Sequence, residues 1–226
     1  MRFEKTEVWG FEHAIRGMRN PMNSHKKSDS TELAIGQNDL ELMQKLIKAG
    51  SEHRKFMRQI FISVDITAPL FWWKEFDTYK VGTVANSTST MHKLASTPIT
   101  RDCFEMDDFE VVNIFKKTNY LQDEWETSKD FWAQLIPYLE RLRIEYNETK
   151  DKRYWKELIR LLPESWLQTR TVTMNYENVL SMYKQRCACP HKLNEWSGKD
   201  NSNVPNFKSW VESLPYANEL ILGETK

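Results

Sequence analysis

Two stretches of this 226-residue chain have residue types and spacings suited to chemistry. The first, Thr78 to Thr90, reads Thr-Tyr-Lys-Val-Gly-Thr-Val-Ala-Asn-Ser-Thr-Ser-Thr, with six hydroxyl side chains besides the tyrosine. Such a loop can bind phosphate through hydroxyls, backbone amides and Lys80; the same composition also suits a capped turn. Its place after a strand and the aromatic run Phe71-Trp72-Trp73-Lys74-Glu75-Phe76 favours function, because long irregular polar segments inside packed domains are more often functional than filler. The second stretch runs from Asn175 to Arg186. At 3.6 residues per turn Asn175, Met182 and Arg186 share one helix face and Glu177 and Ser181 another. Those polar groups either line a pocket or face solvent.

Other chemistry-bearing residues are sparser. Cys187-Ala188-Cys189-Pro190-His191 has metal-type ligands but no second cluster to complete a site, so no metal is expected. With Cys103 the cysteines are odd in number, which suits a reducing compartment. His13, His25 and His92 lack partners at ligand spacing. Arg16 and Arg19, three apart, either reach a phosphate across a subunit boundary or form a solvated helix face.

The elements that must position these residues follow from patterning. Seven glycines, 40% hydrophobic and 12% aromatic residues describe a glycine-poor globular chain that leans toward helix. The expectation is a single domain over 1–226, α+β, mostly helical with a small mixed sheet. Phe3 to Trp9 alternates as a strand, Phe11 to Met18 reads as a short helix, and 19 to 38 as a loop. Asn38 is the expected N-cap of a helix from Asp39 to Ala49 with an apolar stripe of Leu40, Met43, Leu46 and Ile47, stopped by Gly50. Residues 57 to 66 give the best strand, and Pro69 opens a helix to Asp77. Helices are further expected over Asp107 to Lys116, Glu124 to Thr149 with a kink at Pro137, 151 to 161, and Tyr176 to Arg186, with a strand over Leu167 to Met174.

Charge and hydropathy narrow the partners. Thirty-two basic residues balance 32 acidic ones, removing the net field that non-specific binding to nucleic-acid polymers uses. No apolar run reaches the eighteen or so residues of a membrane span, and residues 1–5 lack the apolar core of a signal peptide. A cytoplasmic protein is expected.

The polar stretches resemble the flavin-dependent thymidylate synthases. Their signature is Arg-His-Arg, two residues, Ser, four residues, Ser, one residue, Arg; Thr78-Tyr79-Lys80, Thr83, Thr88 and Thr90 fall at those spacings. Where the family has His-x-Thr-Pro-x-Glu-His upstream, this chain has His53-Arg54-Lys55-Phe56-Met57-Arg58-Gln59. Downstream, Leu162-Pro163, Asn175-Tyr176-Glu177-Asn178-Val179, Arg186 and His191 follow the family's order, and Phe207 to Ile221 is similar to its closing segment. The similarity runs from about residue 40 onward.

The resemblance implies a homotetramer binding FAD and dUMP where subunits meet. NADPH would reduce the flavin, methylenetetrahydrofolate would supply the carbon, and dUMP would become dTMP. Carried over by position, His53, Lys55, Arg58, Thr78, Tyr79, Lys80, Asn175, Glu177, Ser181 and His191 would face the flavin. Glu75, Asn86, Thr88, Thr90, Arg160 and Arg186 would face the nucleotide; none is singled out as catalytic. Thr78, Tyr79 and Thr90 stand where the family has Arg, His and Arg, so cations are fewer here. A diverged relative with another nucleotide substrate, or a non-catalytic nucleotide-binding or assembly protein, is the alternative. The family's upstream Glu and downstream Arg are exchanged for Arg58 and Glu177, which predicts a charge-reversed pair.

Overall fold

The structure, a computed structural model, describes residues 1–107, 109–112, 127–187, 191–199 and 203–224. The chain divides into two compact units, the first made of Met1–Thr67, Lys74–Asn86 and Thr169–Lys226, the second of Ala68–Trp73 and Ser87–Gln168.

In the first unit strand β1 (Arg2–Trp9) pairs antiparallel with β2 (Phe61–Pro69), setting Phe3 opposite Ile66 and Val8 opposite Ile62. With β3 (Val84–Ser87) and β4 (Leu167–Asn175) the order is β1-β2-β4-β3. Alternation explains β2, because Ile62, Val64 and Ile66 are fully buried on one side of the pleat. The strand expected at residue 57 starts instead at Phe61. Phe56, Met57 and Ile60 are buried through the 3-10 turn Lys55–Gln59, since their spacing of one and three residues suits a turn better than a pleat.

Helix α1 (Phe11–Arg19) begins after Gly10, whose φ of +99° and close approach to the Gln59 carbonyl both require glycine. Helix α2 (Gln37–Lys48) starts two residues before expectation, and Asn38 is not its cap. The Asp29 carboxylate does that work from outside, accepting from the amides of Asn38 at 2.9 Å and Asp39 at 3.2 Å. Of the predicted stripe, Met43 and Ile47 are fully buried and Leu40 and Leu46 half-buried.

In the second unit β2 closes on Pro69, and α3 (Leu70–Phe76) opens one residue after the proline expected to start it. Trp72 and Trp73 are buried, and the Trp73 indole donates to the Gln168 carbonyl at 2.9 Å. Helix α4 (Thr90–Lys93) is one turn long. Helix α5 (Ser128–Thr149) is capped by a reciprocal Thr127–Asp130 box and contains Pro137; α6 (Lys152–Leu161) is capped by Asp151. Leu94, Ile99, Phe104, Leu139, Leu142 and Leu158 form this unit's core. The helix expected over Asp107 to Lys116 is not formed at 107 or 109–112; 108 and 113–116, like 124–126 of the next expected helix, lie outside the described residues.

Helix α7 (Tyr176–Arg186) follows β4 directly, as patterning predicts. Among the described residues, the short helices α8 (Asn194–Ser197), α9 (Phe207–Glu212) and α10 (Ala217–Leu220) follow in the first unit. They carry an aromatic core in which Phe207 meets Trp196 at 5.0 Å and Trp210 at 5.4 Å, while Trp210 stacks on Phe3 at 5.2 Å.

Candidate functional site

Helix α7 organises the polar residues of the first unit because each end gathers the charge its dipole favours. Asn175 caps it in a reciprocal box with Asn178, Glu177 lies in the first turn and Arg186 in the last. The hydroxyl-rich loop docks on the capped end. Asn178 Nδ2 donates to the Val81 carbonyl at 2.7 Å, and Gly82 takes φ +79°, where a Cβ would come within 3.1 Å of both Asn175 and Asn178. Asn175 is therefore engaged in holding helix and loop together.

At this end two guanidiniums converge on one carboxylate. Arg58 hydrogen-bonds Glu177, the pair expected from the exchanged charges, and Arg54 Nε donates to Glu177 Oε1 at 3.1 Å. Burial alone would raise the Glu177 carboxyl, but the two arginines outweigh it and hold its pKa below the ordinary value. Arg54 was not among the expected site residues. It falls at the variable position between His53 and Lys55 of the upstream element, so nothing but its charge marked it, and only the turn Lys55–Gln59 brings it beside Arg58.

The other end of α7 forms a second cluster. Arg186 donates from Nε to the Tyr79 hydroxyl at 2.9 Å and lies 3.2 Å from Glu75 Oε2 through a terminal nitrogen. The Tyr79 hydroxyl in turn donates a hydrogen bond to Gln185 Oε1 at 2.9 Å. His191 Nδ1 accepts from the Leu193 amide at 3.1 Å, and its Nε2 lies 3.0 Å from an Arg186 terminal nitrogen and 3.4 Å from Glu75 Oε2. The guanidinium lies over the Tyr79 and Trp196 rings, 5.7 and 5.6 Å from their centroids. Glu75 Oε2 is shielded from water and makes no hydrogen bond, although Arg186 and His191 stand near it.

Other expected residues stand apart from these two clusters. His53 is exposed, and Lys55 pairs at 3.7 Å with the exposed Glu52. Thr78 donates to the Glu75 carbonyl at 2.7 Å, Lys80 is exposed, and Ser181 accepts from Gln185 at 3.3 Å. Asn86 lies exposed in β3. In the second unit the Thr88 carbonyl accepts from Gln168 Nε2 at 2.9 Å, Thr90 begins α4, and the exposed Arg160 pairs with Glu157 at 3.1 Å. No group of three or more His, Cys, Asp and Glu residues able to hold a metal occurs among the described residues; Cys189 lies outside them. Nor does any described helix have the length and apolarity to cross a membrane.

With its small sheet and surrounding helices, the chain has the flavin-dependent thymidylate synthase fold that the sequence resemblance implies. Thymidylate synthase X from Helicobacter pylori, solved with FAD and dUMP, is similar over 100% of this chain and 99% of its own, at 14% identity and a TM-score of 0.67. A second structure of the Helicobacter pylori enzyme with the same ligands gives 16% identity, 98% of each chain and a TM-score of 0.65. The UMP/dUMP methylase PolB from Streptomyces cacaoi, bound with 5-Br dUMP, is similar over 98% of this chain and 94% of its own, at 12% identity and a TM-score of 0.56. No protein-family model and no curated protein matches the sequence.

Proposed function

We propose that the protein is an FAD-dependent, thymidylate synthase-like enzyme that methylates dUMP to dTMP with methylenetetrahydrofolate and NADPH. The observation that carries this reading is the pair of guanidinium clusters at the two ends of α7, on residues that the resemblance assigns to flavin and nucleotide. Similar folds solved with FAD and dUMP support it.

The donor set suits such ligands. At Glu177 two guanidiniums meet one carboxylate, which leaves a net positive charge beside the exposed Lys55. Lys80 adds an exposed cation next to Tyr79. Arg58, Lys55 and Lys80 would bind the FAD diphosphate, with His53, Thr78 and Tyr79 nearby in sequence to orient it. Bound flavin would supply the electron transfer that the side chains cannot. Glu75 and Arg186 would hold the pyrimidine: Glu75 accepts from a ring N–H, and Arg186, fixed by Tyr79, donates to a carbonyl oxygen. The remaining assignments (Asn86, Asn175, Glu177, Ser181 and His191 in the first unit; Thr88, Thr90 and Arg160 in the second), the homotetramer and the cytoplasmic location belong to the same proposal.

One observation favours the alternative of a relative with another nucleotide substrate or a purely binding role. Glu75 already matches the charge of Arg186, which lowers the cluster's attraction for a phosphate. Purification decides between them. A yellow protein with near-stoichiometric flavin that restores growth of a thymidine-requiring strain bears out the enzyme. Flavin without complementation points to a changed substrate, and failure to bind either FAD or dUMP at millimolar concentration removes the proposal.

A further inference from the structure

Arg16 and Arg19, three residues apart on α1, have opposite fates in the fold. Arg19 turns inward: its Nε donates to Asp39 Oδ1 at 2.5 Å, and its terminal nitrogens donate to the carbonyls of Ser24 and Lys27, each at 3.2 Å. Asp39 Oδ2 in turn accepts from the Ser28 and Ser30 hydroxyls, both at 2.7 Å, and from the amides of Asp29 and Ser30. A buried ion pair thus wraps the segment 24–30 around itself. The segment's far end is also fixed, because the Ser30 hydroxyl accepts from the Gly36 amide and the Tyr216 hydroxyl from the Ile35 amide, each at 2.9 Å.

Between this fastened segment, α1 and Tyr216 lies a pocket of about 540 Å3, within the size range of small-molecule sites. Its apolar surface comes from Phe11, Ile15, Ile35 and Tyr216. Phe11 and Tyr216 stand edge-on at 5.5 Å, and Tyr216 is held at φ +54°, a left-handed conformation that side chains adopt at a cost and keep only where their surroundings enforce it. Glu12, Arg16, His25 and Glu32 also line the pocket. Among the described residues none of these four side chains makes a hydrogen bond or ion pair, even though Glu12 and Arg16 are four apart on one helix face.

We propose that this pocket binds a planar heteroaromatic anion, its ring against Phe11 and Tyr216, its carboxylate on Arg16 and His25, and a ring N–H on Glu12. The pocket shares no residue with the two clusters on α7, so the inference stands apart from the flavin and nucleotide reading. Preformed walls, aromatic surface and unengaged groups of both signs are what such a ligand needs.

Indole-3-acetate has these features in their simplest form, and titration calorimetry on the full chain tests them one at a time. It should bind one to one with a Kd below about 1 mM. Indole-3-acetamide, lacking the anion, and 1-methylindole-3-acetate, lacking the N–H, should each bind at least fivefold more weakly. The exposed substitution Arg16→Gln should weaken indole-3-acetate about tenfold and leave the amide unchanged, while FAD and dUMP at saturation should not displace the probe. Equal binding of acid and amide, an unaltered Kd in Arg16→Gln, or displacement by FAD would each overturn the proposal. Because the comparison of acid with amide uses the unsubstituted protein, the test does not depend on any variant folding.

Discussion

Glu177 shows most directly how single residues carry charge in this protein. It accepts from both Arg54 and Arg58, so the two substitutions at the pair are not equivalent. Arg58→Ala leaves Arg54 to hold the carboxylate, whereas Glu177→Ala leaves two like charges facing each other. A double-mutant cycle read by urea unfolding should show a coupling of about 1 kcal/mol between Arg58 and Glu177, with Glu177→Ala the costlier single change. Zero coupling would mean that the charge-reversed pair does not operate in solution. A second test concerns Cys187, which donates to the Trp196 carbonyl and whose thiol burial pushes up to about 12. At pH 8 only about one molecule in ten thousand carries the thiolate, so Cys187 should resist iodoacetamide in the native state and react once unfolded. Peptide mapping after brief alkylation checks this.

Among elements, the junction of α7 with the loop at Gly82 is the most exacting. Tyr176 to Arg186 was legible as a helix because its start carries Asn and Glu and its end Lys and Arg. The loop was legible only as polar, and its strand β3 was not, since four exposed residues bury nothing and leave no alternation to detect. Docking also could not be read, as it depends on a glycine 93 positions before Asn175 adopting a positive φ. Gly82→Ala should therefore destabilise the chain by about 1–2 kcal/mol, seen as a lower urea midpoint, through left-handed strain and the approach to Asn178. Sequence also misplaced the α2 cap. Asn38 has the right residue type, but Asp29, brought near by the Arg19–Asp39 pair, reaches the free amides first.

At the scale of the whole molecule, acid should unmake the polar clusters together. Burial would raise Asp39, but Ser28, Ser30 and Arg19 hold it below its ordinary 3.8, as the arginines hold Glu177 below 4.5. Each carboxyl is thus more acidic folded than unfolded. Its contribution is complete above those ordinary values and is lost as pH falls through the lower folded ones. Urea midpoints should hold from pH 7 to about 5 and fall steeply below 4. Asp39→Asn, which breaks a buried pair, should cost about 3–5 kcal/mol at pH 7 and show a shallower acid loss. Sequence by itself determined the α+β class, the mostly helical content, α7, and the resemblance that the fold bears out, because periodicity, caps and motif order are local. Tertiary structure alone decided which charges meet. Arg54 joined Glu177, Glu75 and His191 joined Arg186, and Arg16 parted from Arg19, since electrostatic partners are chosen by distance in space across chain separations that no local pattern encodes.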